Sequence, residues 1–231
     1  YVNLLPVQQK RSLHPGDTRE QVLSRRVFLE SGAYTPIVEA VKAAATGHEG
    51  PILDVGCGEG YYAARVAEHL GAELTGLDIS KEAVRCAAAQ YKGHRWICGT
   101  AAHLPIADES VGVLMSMFAL TMPQEFRRVL KEGGIFIQVL AAQDHLMGLK
   151  SIIYPEILLK EKDSVPELEG FELVSSTPVR FEFTAEGEQI ANLLSMTPHF
   201  WRISQEGAKR LQATTALADT ASCVVNVYRP M

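Results

Sequence analysis

The chain has 231 residues, 47% of them apolar, enough to bury a full core as one domain or one domain with an appendage. A formal net charge of −5 excludes a global basic field for nucleic acid, so any polyanionic partner must be met by local patches. The four cysteines are dispersed without CxxC or Cys/His spacing, no signal peptide is visible, and no run approaches the roughly 20 apolar residues of a membrane span, which together point to reduced thiols, no resident metal, no membrane and a cytoplasmic protein. The sequence begins at Tyr1 rather than Met, so residues upstream of it are expected.

Residues 1–47 hold a loop, LHPGD (13–17), and two helical stretches near 18–32 and 35–46. From Pro51 short β-rich runs alternate with helical ones. PILDV (51–55) is a strand, Glu59 to Leu70 a helix, AELTGLD (72–78) a second strand, and Ser80 the N-cap of a helix that runs to Tyr91. RWICG (95–99) and VGVLMSM (111–117) follow as strands, PQEFRRVLKEGG (123–134) as a helix ended by glycines, and IFIQVLAA (135–142) as a fifth strand. Residues 143–170 read as irregular. Beyond them come a strand at 171–183, helices at 186–196 and 204–215, and a last strand at 221–230. The expected fold is α/β: a doubly wound, mostly parallel, seven-stranded Rossmann-like sheet with a helical N-terminal flank. Ligands of such sheets bind at the carboxyl ends of the strands.

LDVGCGEGYY (53–62) lies at such an end. Gly56, Gly58 and Gly60 let the chain turn sharply and bring bare backbone against a ligand. A dinucleotide fingerprint would need glycine at 61, where Tyr61 stands, and no GK[ST] follows for a P-loop. Asp54 is placed to meet a cationic amine, and the helix N-terminus beyond Gly60 faces a carboxylate more readily than a pyrophosphate. Asp78 ends the second strand, where its carboxylate can accept both hydroxyls of a ribose. An amino-acid end joined to a ribose is S-adenosylmethionine, left as S-adenosylhomocysteine after methyl transfer. The alternative, a ligand-free glycine turn, is outweighed by the second acidic tip and the five-strand alternation. Residues 50–142 therefore resemble the class I S-adenosylmethionine-dependent methyltransferases. The donor's methionine end is expected over Gly56–Gly60 and its adenosine between Asp78, with Ile79, and the strip Thr100, Ala101 and Ala102.

The acceptor is narrowed by absences. No cysteine follows proline, which disfavours C5 chemistry on pyrimidines, and the loop after the fourth strand reads SMFALTMP rather than the Pro-Pro-aromatic loop of exocyclic amine methylation. A ring nitrogen, an oxygen or a small-molecule carbon remain, reached mainly by in-line positioning. The segments YVNLLPVQQKRSLHPGD (1–17), RRVFLESGAYTP (25–36), HLMGLKSIIY (145–154) and LLSMTPHFWR (193–202) resemble the 23S rRNA (guanine-N1-)-methyltransferase family nearly throughout. That resemblance implies methylation of guanine N1 in a 23S rRNA hairpin by a homodimer, with Tyr34 and His145 lining the cofactor site beside Gly58 and Glu59. It also implies a lid in residues 1–47, a methyltransferase domain over 48–231 and a substrate-recognition segment within 143–203. The family carries a zinc ribbon directly before YVNLLP, so zinc is expected only if such a ribbon precedes this chain. The family's alanine-proline step after the fourth strand is Ala119-Leu120 here.

Single residues carry competing readings. His145 fits a helix N-terminal histidine or a cofactor contact, and Tyr34 fits a core aromatic until the resemblance is counted. Lys10, Arg11, Arg19, Arg25 and Arg26 lie among only Asp17 and Glu20, a candidate phosphate-binding patch, with Arg202, Lys209 and Arg210 as a second. Phe200 and Trp201 read first as core, yet their setting in MTPHFWR, like that of Phe118 after the fourth strand, makes them candidates for holding an extruded base. No residue is assigned as acceptor of the guanine N1 proton; His145, His103 or a carbonyl with water remain open. Two rival functions stand: a small-molecule methyltransferase of the same fold, and a binding protein without chemistry.

Overall fold

The computed structural model describes residues 1–5, 15–157 and 163–231. The helical flank is α1 (Arg19–Glu30) and α2 (Thr35–Ala45). Helix α1 starts at a capping box, with the Thr18 hydroxyl accepting from the Gln21 amide at 3.3 Å and the Gln21 side chain accepting from the Thr18 amide at 3.0 Å. The alternating region then gives β2 (Ile52–Val55), α3 (Tyr61–Leu70), β3 (Leu74–Asp78), α4 (Lys81–Gln90), β4 (Arg95–Cys98), β5 (Val111–Met117), α5 (Pro123–Val129) and β6 (Leu130–Ala141), after a first short strand, β1 (Val2–Asn3). Ser80 caps α4 as its position suggests, accepting from the Ala83 amide at 3.2 Å. Beyond β6 come α6 (Met147–Ile153), β7 (Phe171–Glu186), α7 (Glu188–Ser195), a 3-10 turn at Pro198–Trp201, α8 (Gln205–Ala213) and β8 (Ala216–Pro230).

Among the described residues one sheet holds eight strands in the order β1-β4-β3-β2-β5-β6-β8-β7, parallel except for the pairings of β8. Strand β5 is buried along its whole length, as a parallel strand covered on both faces should be. One face packs Phe28, Val41, Val66, Val84, Ile137 and Leu149 into the larger core; the other packs Leu53, Leu114, Phe126, Phe136 and Tyr228. Because β6 and β7 both run antiparallel to β8, β7 ends at the same edge as β2 and β3. There, residues 187–215 are inserted between β7 and β8 as α7, the 3-10 turn and α8. Helix α7 packs on α1 and α8 on α6, so the insertion joins the flank over the carboxyl ends of the strands.

The structure differs from the sequence reading in four places. The sheet has an eighth strand, because Val2 and Asn3 pair with Ile97 and Cys98, a run too short to carry a period. Helix α5 stops at Val129 rather than at the glycines, because Leu130 is buried and already pairs with Val111. Helix α6 occupies part of the stretch read as irregular; its first amides, Gly148 and Leu149, donate to the Asp219 carboxylate at 2.8 and 2.7 Å. Strand β8 begins at Ala216, since its pairing with β7 continues to Glu186.

Candidate active site at the carboxyl ends of the strands

The turn after β2 has positive φ at Gly56, Gly58 and Gly60, a region that side chains rarely adopt. The glycines meet different neighbours. A Cβ at Gly56 would lie 2.5 Å from the Ala119 Cβ, and one at Gly60 would lie 2.5 Å from the Trp96 ring. Packing alone thus requires glycine at 56 and at 60. Only Gly58 looks onto a side chain at a comfortable distance, the Arg25 guanidinium at 3.6 Å from the absent Cβ.

Around this turn stand buried carboxylates. Asp54 is 1% exposed and its Oδ1 has no hydrogen-bond partner. Burial, then the charges of Asp78 and Glu59, push its pKa up to about 8. Glu59 is 3% exposed and pushed up to about 7 by burial, an effect that Arg25 opposes. Glu59 Oε2 also lacks a hydrogen bond, since Arg25 Nη1 at 3.9 Å is within ion-pair reach only. Asp78 is held differently: Oδ2 accepts from the Gly58 amide at 2.9 Å and Oδ1 from the Ser80 amide at 2.7 Å. Burial raises its pKa and those two amides lower it. Asp17 reaches Arg25 at 2.5 Å, and the Ser80 hydroxyl donates to the Asp17 carbonyl at 2.7 Å, so the segment before α1 lies on the turn after β3.

These orphaned acidic oxygens are the test of whether a cationic ligand fits. Two buried carboxylate atoms without donors destabilise the protein alone, and a ligand bearing an ammonium group would satisfy them. Ile79 is exposed beside Asp78, while Thr100 Oγ1 accepts from the Ala102 amide at 3.3 Å in the turn after β4 that also holds Ala101. Nearby, Arg128 ties the Leu104 and Ile106 carbonyls at 2.9 and 2.8 Å.

On the other side of the turn, Tyr34 is 2% exposed, with ring centroids 5.2 Å from Phe28, 5.7 Å from Phe183 and 6.4 Å from His145. Its hydroxyl is buried without a hydrogen-bond partner. His145 Nδ1 accepts from the Ser222 amide at 3.1 Å, which puts the proton of the neutral ring on Nε2. Phe118 has φ +54° and lies 6.2 Å from His145 at an interplanar angle of 30°. A non-glycine residue in that backbone region is strained and persists only where its surroundings fix it. Beneath it, Gln138 donates to Thr121 Oγ1 at 2.8 Å and accepts from Asn226 at 3.4 Å. A cleft of about 570 Å³ is lined by Asp144, Met147, Arg180, Phe183, Thr184 and Thr220 among others.

The proposed basic patch comes apart. Lys10 and Arg11 lie outside the described residues. Arg25 is turned toward the glycine turn, and Arg26 is half-buried with Nη1 4.0 Å from Cys86 Sγ. Arg19 is exposed. Arg210 closes α6 by donating to the Ile152 carbonyl at 2.6 Å, a structural use of its charge. The core reading of Phe200 and Trp201 is overturned: Trp201 is 69% exposed, next to exposed Arg202, because nothing in the 3-10 turn is buried. The Tyr154 hydroxyl and His199 Nδ1, 2.8 Å apart, fasten that turn to the end of α6.

Comparison with known proteins bears on the fold and the family. A family model described as a methyltransferase domain matches residues 53–138. In its fold the chain is similar to a SAM-dependent methyltransferase from Aquifex aeolicus, with a TM-score of 0.52 at 15% identity over 90% of this chain and 99% of that one. It is 28% identical, over 92% of its length and 79% of the relative's, to a Bacillus subtilis (strain 168) protein provisionally named a 23S rRNA (guanine-N1-)-methyltransferase. The 23S rRNA (guanine(748)-N(1))-methyltransferase of Streptomyces fradiae is 31% identical across 100% of this chain and 86% of its own. The chain belongs to the 23S rRNA (guanine-N1-)-methyltransferase family, on an S-adenosylmethionine-dependent methyltransferase core.

Proposed function

We propose that this protein transfers a methyl group from S-adenosylmethionine to N1 of a guanine in 23S rRNA, at the carboxyl-end site. One coincidence carries the reading: whole-length similarity to an enzyme of that name, and a glycine turn ringed by buried acids without hydrogen-bond partners. The donor's ammonium group would be met by Asp54 and Glu59, its ribose by Asp78, and its adenine by Ile79 and Thr100–Ala102. Tyr34 and His145 would close the site beside Gly58. When bound, S-adenosylmethionine supplies an electrophilic methyl group on a sulfonium.

What the chain's own residues do is orient and exclude water. Phe118 and Trp201 offer ring faces to an extruded base, and Arg202 and Arg19 offer charge to the RNA backbone. The Ser222 amide, donating to His145 Nδ1, fixes the orientation of that ring beside Phe118. Residues 1–47 act as the lid. The recognition segment within 143–203 works with the rest of the 187–215 insertion. On the family resemblance the enzyme works as a homodimer on an rRNA hairpin in the cytoplasm. No helix among the described residues is long and apolar enough to cross a membrane. No group of three or more His, Cys, Asp or Glu among the described residues is set to hold a metal; zinc enters the proposal only with a ribbon preceding this chain.

The test is incubation with tritiated donor and unmodified 23S rRNA, followed by nuclease mapping and mass spectrometry. Label at N1 of one guanine supports the proposal. Donor binding by calorimetry with no label in RNA, also with an upstream ribbon supplied, would turn it toward a small-molecule acceptor.

A further inference from the structure

We propose that Arg25 is a donor-binding residue, its guanidinium receiving the carboxylate at the methionine end of S-adenosylmethionine. The assignment rests on the donor reading above and deepens it. An amino-acid end is a zwitterion and needs two opposite partners. The orphaned oxygens of Asp54 and Glu59 suit its ammonium group. Its carboxylate, however, must enter a ring formed by Asp17, Asp54, Glu59 and Asp78, where it is repelled unless a cation stands there. Among the described residues Arg25 is the cation paired in that ring, through Asp17 at 2.5 Å and Glu59 at 3.9 Å.

Position and geometry agree with this. The Arg25 Nη1 atom lies 3.6 Å from where a Gly58 Cβ would be, so the guanidinium covers the middle glycine of the turn. Both of its ion pairs run through Nη1. A guanidinium offers a planar fork that matches a carboxylate with two parallel hydrogen bonds. The first turn of α3 approaches the same carboxylate from the sheet side, and Arg25 closes on it from the flank. Helix α1 thereby senses the donor, linking the lid to the glycine turn.

The test compares two ligands by calorimetry on the full chain: S-adenosylhomocysteine, and 5′-methylthioadenosine, which lacks the amino-acid end. Arg25→Met is expected to weaken S-adenosylhomocysteine roughly 10- to 100-fold, the range of a lost charge-assisted hydrogen bond, and to leave 5′-methylthioadenosine within about twofold. Arg25→Lys, which keeps charge without the fork, is expected to recover part of the loss. Equal weakening of both ligands would reduce Arg25 to a clamp on the turn and overturn the assignment. So would unchanged ligand affinity with a raised KM for 23S rRNA and a shallower salt dependence, the signature of a phosphate contact. If wild-type protein binds neither ligand, the donor reading itself falls; if it binds both and methylates no RNA, the Arg25 test still decides.

Discussion

At the donor end, Asp54 and Glu59 come from one run of six residues and Asp78 from the next strand, and all three lie in a ring of negative charge closed by Arg25. At the proposed acceptor end, Phe118 and the Trp201 turn come from two separate segments, stand partly in solvent, and are fastened by neutral hydrogen bonds such as Gln138 to Thr121. The donor is one fixed small molecule, and the site proposed for it is charged, with carboxylate oxygens that lack hydrogen-bond partners. An RNA acceptor is large, so its surface offers open ring faces and leaves rigidity to the layer beneath.

Asp54→Asn should break the donor end most. S-Adenosylmethionine affinity should fall at least about 100-fold, since a charged partner is lost from a buried site. The same change should stabilise the ligand-free protein by roughly 1–3 kcal/mol at pH 7.5, seen as a higher melting temperature. The sign follows from the pKa of about 8: the folded protein keeps a proton that the unfolded chain gives up near pH 4. Asp54 thus opposes folding increasingly as pH rises between those values, and Asn removes the effect. A lower melting temperature for Asp54→Asn would contradict this account.

The pH dependence of donor binding should follow in size. Asp54, near 8, and Glu59, near 7, must both be ionised to hold an ammonium group, with Asp78, Asp17 and Arg25 as their charged neighbours. Affinity should rise about tenfold or more from pH 6 to 8.5, with protons released on binding and counted by calorimetry in buffers of different ionisation heat. A flat profile would show that the acids are already ionised in the empty site.

Trp201→Ala should sharpen the contrast. Loss of one stacking face should raise KM for 23S rRNA by about tenfold, leaving S-adenosylhomocysteine affinity unchanged. A matching loss of donor affinity would merge the two ends into one. Gln138→Leu should give the smallest effect, a few-fold drop in RNA turnover with donor affinity intact, because Thr121 and Asn226 lose a partner worth about 1 kcal/mol. Increased hydrogen exchange at Phe118–Thr121 would locate the loss; unchanged turnover would confine Gln138 to stability.

The glycine turn and its acidic strand tips were legible in the sequence because the parts are contiguous: an apolar strand, three glycines and an acid at the next strand tip. The β-α alternation was legible for the same reason, each element being decided within its own residues. What escaped is decided across distance. Helix α6 is capped by Asp219, about seventy residues away, and β1 exists only through its pairing with β4. Trp201 was misread because burial depends on whether anything covers the 3-10 turn. Arg25 could have been found. It stands three residues after buried Val22 and three before buried Phe28, on the inward stripe of α1, although its neighbours in sequence suggest a solvated basic face.

One contact joins the two ends. The Gly56 backbone and the Ala119 methyl group approach so closely that a second methyl would overlap. Position 56 is thereby confined to glycine for as long as Ala119 keeps its place, so the donor turn and the loop after β5 hold each other in register. A lineage that retargets this enzyme would change its substrate loop around that fixed point.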